Sequence, residues 1–585
     1  MSRSKPHSRP TAGAQQNGLK HGQAQTSLMP GPGRDWVMAG LLVLAVLVAY
    51  HPVWHAGFIW DDDAHLTPPE LAATDGLWRI WAEPGLTQQY YPLLHSVFWI
   101  LNRVWGTEPT AYHLLGLTLH AANALLVWAL LRKLVVPGAW LAATLFALHP
   151  VMVESVAWVS EIKNTLSGCF YLLAAGVYLD YDERRGAGRY GLALALFLCA
   201  LLSKTVTATL PAALLVIFWW RRGRLDWRRD LLPLAPFLVL GVGFGLFTAW
   251  VEHYDIGARG SDYAFSVLER GLIAGRALCF YVGKLFWPGD LVFVYPRWKI
   301  SSADAAAWLY PALALLVLAG CWWLRARNRG PLACALFFGG TLFPALGFIN
   351  VFPFRYSFVA DHFQYLASLG VFVLVAAGLA RWTERLPRLS RPAKTAGAVV
   401  LGTLLGGLTY AQSRSYADER TLYRETLERN PQAVLAHVNL GNLQLMDHDL
   451  DGALLHYREA IRLDPAQPLV HYNLGTAYAA QRNLPEAAAE FRTALRLQPD
   501  YGRAHHNLGA ALAQLGQLSA ALREQRTAIR LMPDFADAHR NLARTLLQMH
   551  RWQEGADEVH RALELNPDDE QTQRLLASLP LSLRR

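Results

Sequence analysis

Three adjacent carboxylates, Asp61, Asp62 and Asp63, end the stretch Phe58-Ile-Trp-Asp-Asp-Asp63. Like charges this close raise at least one carboxyl pKa, which suits a general base. The same group suits a divalent cation, and spacing alone serves either purpose. A solvated acidic turn would account for the carboxylates if they stood alone, but other ionisable residues accompany them. Tyr90-Tyr91-Pro, Tyr112-His113, His120 and His149-Pro-Val-Met-Val-Glu154-Ser-Val-Ala-Trp158 follow, then Glu161 and Lys163. Glu154 and Glu161 are spaced to share one helical face, with Trp158 between them. Lys204, Arg259, Arg297, Arg355 and Asp361-His362 come later. Ionisable groups at the ends of apolar spans are costly, so their recurrence there points to function.

The elements that must position them are apolar runs long enough to cross a hydrocarbon core. Runs near 36–53, 111–131, 138–158, 165–180, 190–202, 206–220, 231–250, 308–324, 332–350, 364–380 and 395–412 predict about eleven spans. The run at 271–287 carries Arg270, Arg276 and Lys284 and is expected to lie at the interface. With that assignment, connections on one side hold 23 Lys/Arg in 81 residues, against 11 in 136 on the other. The positive-inside rule then makes the N-terminus cytoplasmic and places loops 54–110 and 251–307 outside. The formal charge of +9 sits mainly in these short clusters, so it speaks of orientation and not of nucleic-acid binding. The five cysteines lie in or beside apolar segments without CxxC spacing, which argues against a disulfide or zinc framework. Residues 1–35 read as a disordered basic tail before an uncleaved first span.

After Tyr416 the character changes. Pro431, Pro465, Pro499, Pro533 and Pro567 recur every 34 residues, in step with Leu440, Leu474, Leu508 and Leu542. A Gly follows the Leu at 441, 475 and 509, with Ala543 in the fourth copy, and small residues recur at Ala453, Ala487, Ala521 and Gly555. This is the tetratricopeptide pattern, two helices per repeat, in which stacking is obligatory because no repeat buries its own apolar face. The expected domains are the tail 1–35, a membrane domain 36–412, a connecting and capping helix 413–431, four repeats 432–567 and a terminal helix and tail 568–585. His437, His471, His505 and His539 recur in register but are spread one per repeat, which predicts packing and not a metal site. Asn439, Asn473, Asn507 and Asn541 recur as well. They read either as a solvated polar face or as a ladder whose amides bind an extended peptide.

Trp-Asp-Asp after the first span, Tyr-x-Pro-Leu, Tyr-His with a second His, His-Pro-Val-x-x-Glu, Ser-Lys, and Asp-His-x-x-Tyr-Leu-x-Ser-x-Gly370 occur in order before the repeats. In this the chain resembles the transmembrane and tetratricopeptide repeat (TMTC) proteins, GT-C-fold enzymes similar to protein O-mannosyltransferases. It departs from their pattern at Tyr91, Thr205 and His362, where the family carries Arg, Glu and Arg. The resemblance implies an all-α fold, a polytopic GT-C-like domain followed by a repeat superhelix. It also implies a polyprenyl-phosphate sugar donor and a Ser or Thr acceptor in an extended segment. Asp61 or Asp62 would take the hydroxyl proton, with Glu154 orienting the base or the sugar. Lys163, Lys204, Arg297 and His362 would neutralise the departing phosphate. A bacterial inner membrane, with the repeats outside the cytoplasm, is the expected location. The competing class is a non-catalytic membrane anchor whose repeats collect partner proteins.

Overall fold

The computed structural model describes residues 32–66, 73–87, 89–386 and 390–584. Most of the expected tail 1–35 lies outside the described residues. Among the described residues every regular element is helical. Pro109–Lys133, Trp227–Tyr254 and Ala305–Leu324 are long and apolar enough to cross a membrane, and the bent pair Ala139–Leu148 and Pro150–Ala157 could form a fourth span. The remaining apolar segments of the expected eleven fold as helices that are shorter or less apolar, such as Ala187–Ser203. Leu309–Leu324 buries no residue, as a helix facing lipid would.

Two expected spans are broken. The run 138–158 bends by 57° at His149-Pro150, because Pro150 cannot donate to the preceding turn. The run 332–350 stops being α-helical at Leu342 and passes through a 3-10 turn, Phe343–Ala345, to Gly347 at φ +93. The 271–287 run forms the helix Val267–Phe286, opened by a Ser266/Glu269 capping box. Its cations turn to protein partners: Arg270 donates to the Gly347 carbonyl and Asn350, and Lys284 to the Gly289 carbonyl.

The helix Ile162–Arg184 sets the scale of the bundle. Glu161 precedes it and Asp182 lies in its last turn, roughly 30 Å further along at 1.5 Å per residue. At the Asp182 end, Arg185, Arg222 and Arg229 all engage that carboxylate, and Lys133 pairs with Asp180 at 2.6 Å. The basic clusters therefore gather at one end of the bundle and the candidate site at the other.

The repeats form as expected, with first helices Val434–Met446, Pro468–Ala480, Gly502–Gln514 and Ala536–Gln548. Their second helices are Leu450–Leu463, Leu484–Leu497, Leu518–Leu531 and Trp552–Leu565. A Cβ on Gly441, Gly475 or Gly509 would come within 2.6–2.8 Å of Tyr457, Phe491 or Gln525, so these positions admit only glycine without a shift. In the fourth repeat the facing residue is Val559, small enough for Ala543 to sit opposite it. The helix Glu419–Arg429 caps the array and joins the main apolar core through Leu422 and Tyr423.

Candidate functional site

The short helix Asp62–Leu66 follows the first 3-10 turn and carries the acidic stretch inward. The two principal carboxylates have different surroundings. Asp62 is fully buried, and its oxygens accept from the Ile59 N–H (2.9 Å), the Ser160 N–H (2.7 Å) and the Ser160 hydroxyl (2.7 Å). Burial pushes it up to about 7 against those three donors. It ties the loop to the segment after Glu154. Asp61 is one-fifth exposed, accepts from the Trp158 indole N–H at 3.1 Å and lies 3.4 Å from His65 Nε2. Burial would raise it, but the His65 hydrogen bond and the charges of His65 and Lys163 hold it below the ordinary aspartate value. Asp61 is therefore the ionised, reachable carboxylate.

The chain does not run helically from Glu154 to Glu161, which corrects the expected shared face. Val153–Ala157 ends at Trp158, whose backbone is extended (ψ 117), and a 3-10 turn Val159–Glu161 follows. The two carboxylates nonetheless converge on His362, which Glu154 contacts at 3.1 Å through Nδ1 and Glu161 at 3.8 Å through Nε2. Glu154 also accepts the His362 backbone N–H at 2.9 Å. Glu161 is the hub of the cluster, with Lys163 at 3.0 Å, Lys204 at 2.8 Å and the Asn164 amide at 2.7 Å. Burial alone would raise Glu161; His362, Lys163 and Lys204 overcome it and hold the group well below its ordinary value. Lys204 is pushed down to about 8 by burial and by the like charge of Lys163, against the pull of Glu161. Lys163 sees Asp61 as well as Glu161 and is raised. Its ammonium also lies 5.7 Å from the Trp158 ring centroid.

Arg297 is not brought to this cluster. It donates to the Phe354 carbonyl (3.0 Å) and the Asp262 carbonyl (2.6 Å), in two other connections. Two departures from the family pattern meet each other: the Tyr91 hydroxyl lies beside Thr205, so a neutral pair stands where the resemblance implies Arg and Glu. His362, the third departure, supplies the contacts to both glutamates. No group of three or more His, Cys, Asp or Glu is arranged to hold a metal among the described residues.

The asparagine column is used between repeats, not left to solvent. Asn473 donates to Asn442 (2.9 Å), Asn507 to the Tyr472 hydroxyl (3.2 Å), and Asn541 meets His506 (3.2 Å), while Asn439 lies beside Tyr423 of the capping helix. The histidines instead tie the two helices of a single repeat together. Nε2 of His471, His505 and His539 meets the carbonyl of Pro465, Pro499 and Pro533, and Nδ1 meets Glu490, Glu524 and Glu558 at 2.6–2.7 Å. Those glutamates also recur at 34 residues, a period that marks them in the sequence as partners of the histidines. Glu161 as hub, and Ser160 as the anchor of Asp62, had no comparable signal.

Fold and site together define a multi-helical protein with an ionised cluster at one end of an apolar bundle and a tetratricopeptide array docked beside it. Models described as TPR repeat match residues 449–482 and 478–516, and one described as tetratricopeptide repeat matches 512–579. The chain is 26% identical over 472 residues to human protein O-mannosyl-transferase TMTC1, covering 69% of this chain and 52% of that one. It is 25% identical over 444 residues to protein O-mannosyl-transferase F38B6.6 of Caenorhabditis elegans, covering 70% and 61%. Over 223 residues it is 26% identical to mouse protein O-mannosyl-transferase TMTC2, covering 35% and 27%. The chain is a TMTC-like tetratricopeptide repeat protein, and the alignments span about a quarter to three fifths of these relatives' lengths. Among solved structures, the repeat protein YrrB matches at 22% identity over 27% of this chain and 80% of its own, with a TM-score of 0.25.

Proposed function

We propose that this protein is a membrane glycosyltransferase that moves a mannose-like sugar from a polyprenyl-phosphate donor to Ser or Thr hydroxyls of proteins on the non-cytoplasmic side. The observation that carries this reading is the convergence around Trp158 of four segments distant in sequence, bearing Asp61, Glu154 to Lys163, Lys204 and His362. The names of the relatives support a glycosyltransferase role. Asp61 takes the proton of the acceptor hydroxyl as its oxygen bonds the anomeric carbon. The bond from that carbon to the phosphate oxygen breaks, and the polyprenyl phosphate leaves with the electron pair. Lys163 and Lys204 stabilise the departing phosphate with the N–H donors that Glu161 does not use. The repeats bind the acceptor or a partner; each asparagine amide has a second N–H for a peptide carbonyl.

One observation favours the alternative, a membrane-anchored scaffold without catalysis. Glu161 engages both lysines, and the cluster sets Lys163 and Lys204 against Asp61, Glu154 and Glu161, so it is not net cationic toward a phosphate. The test is incubation of the purified protein in detergent with polyprenyl-phosphate mannose and a Ser/Thr peptide. Glycosylated peptide and free polyprenyl phosphate in equal amounts, both absent with Asp61→Asn, are expected. No turnover in the parent with this or other polyprenyl-phosphate sugars would leave the scaffold reading.

A further inference from the structure

Trp60, the residue before Asp61, has φ +50, a left-handed conformation that is costly for a bulky side chain and persists only where surrounding contacts impose it. Two sets of contacts impose it here. The Trp60 ring packs against Trp158 and Phe293, each with a centroid separation of 5.3 Å. Its backbone N–H donates to Glu419 Oε1 at 3.0 Å, and three residues earlier the Gly57 N–H donates to the Ala417 carbonyl at 2.8 Å.

Glu419 opens the helix that caps the repeat array, with Asp418 as its N-cap. Its Oε1 also accepts from the hydroxyl of Tyr423, a buried residue of the same helix, at 3.2 Å. The other end of that helix holds the opposite wall of the aromatic group: Arg429 donates to the Leu291 carbonyl (2.8 Å) and Asn430 to the Val294 carbonyl (2.9 Å), on either side of Phe293. The capping helix thus grips both chain segments whose rings enclose Trp158, and the Trp158 indole N–H is a direct ligand of the Asp61 carboxylate.

We propose that Glu419 is a positioning residue for Asp61: by accepting the Trp60 N–H it fixes the turn that presents the carboxylate, and it thereby couples the repeat array to the transfer site. This rests on the reading of Asp61 as general base. The acceptor atom of Glu419 matters, not its charge, because the Trp60 amide needs only an oxygen lone pair. Glu419→Gln keeps that oxygen and Glu419→Ala removes it.

The test compares the full-length protein with both variants in detergent, using polyprenyl-phosphate mannose and a Ser/Thr peptide, alongside hydrogen exchange of the Trp60 amide. Misplacing a reacting group by about an ångström costs up to roughly 100-fold, so a loss on the order of tenfold in kcat is expected for Glu419→Ala, with KM for the lipid donor unchanged. The Trp60 amide should exchange faster in Glu419→Ala, while Glu419→Gln should match the parent in both measurements. Parental kcat and exchange in Glu419→Ala would overturn the inference. So would a Glu419→Gln variant as impaired as Glu419→Ala, since the charge and not the acceptor would then matter. A parent silent with every donor would overturn the transferase reading alone, and exchange at Trp60 would still decide whether Glu419 holds the turn.

Discussion

The indole N–H of Trp158 donates to the Asp61 carboxylate at 3.1 Å while the same ring faces the Lys163 ammonium. One side chain therefore aims the carboxylate and holds a cation beside it. Trp158→Phe keeps the packing against Trp60 and Phe293 but loses the donor. A hydrogen bond to a charged group contributes about 1.5–3 kcal/mol, so transfer should fall by roughly ten- to a hundredfold without loss of fold. Steady-state kinetics beside circular dichroism checks this. Parental kinetics would remove the indole from the site.

The two aspartates should separate in their effects. Asp61→Asn should lower turnover by at least about 100-fold, the usual contribution of a general base, with unchanged thermal stability. Asp62→Asn should instead destabilise by about 1–3 kcal/mol, because an amide N–H would face the Ile59 or Ser160 donor inside the core. Thermal unfolding and turnover measured on both variants distinguish them. The prediction fails if Asp62→Asn retains full stability.

The repeat histidines give a pH dependence whose sign can be worked out. His505 is raised above its ordinary value, first by its hydrogen bond to Glu524, which outweighs burial. A raised folded-state pKa gives stability that is fully present below the unfolded value of about 6.5 and is lost as pH rises through the folded one. Hydrogen exchange in the helix Gly502–Gln514 of the full-length protein should therefore show protection declining across that window beyond the intrinsic pH effect. His505→Gln should flatten the excess.

The glycine positions of the repeats make a paired prediction. A methyl at Gly475 would meet the Phe491 ring at 2.8 Å and the Ala487 carbonyl at 3.2 Å. Gly475→Ala should cost about 1–3 kcal/mol as overpacking. Adding Phe491→Val, which copies the Ala543 and Val559 pair of the fourth repeat, should recover most of it. Thermal unfolding of both single variants and the double variant supplies the cycle. Simple additivity would show that the two sites do not share the clash.

Orientation can be tested apart from chemistry. If the Lys/Arg asymmetry sets the topology, a reporter active only in the cytoplasm should be silent when fused after Arg585 and active when fused before Met1. Cytoplasmic activity of the C-terminal fusion would require one more crossing, with Val267–Phe286 as the first candidate.

The repeats were legible in the sequence almost entirely, because a 34-residue period repeats one local solution and each copy contacts only its neighbours. The apolar runs and the gathering of Lys and Arg at one set of connections were legible for the same reason: both are properties of short stretches. The ionisable residues were legible as candidates but not as a site. Nothing local says that Asp62 is spent on Ser160 while Asp61 stays reachable, or that Glu161 holds two lysines and Arg297 turns away. The break at Trp158 and the docking of Glu419 on Trp60, 359 positions earlier in the chain, decide those partnerships. Pairings of that kind depend on which distant helices pack together, and packing is settled by the whole bundle at once.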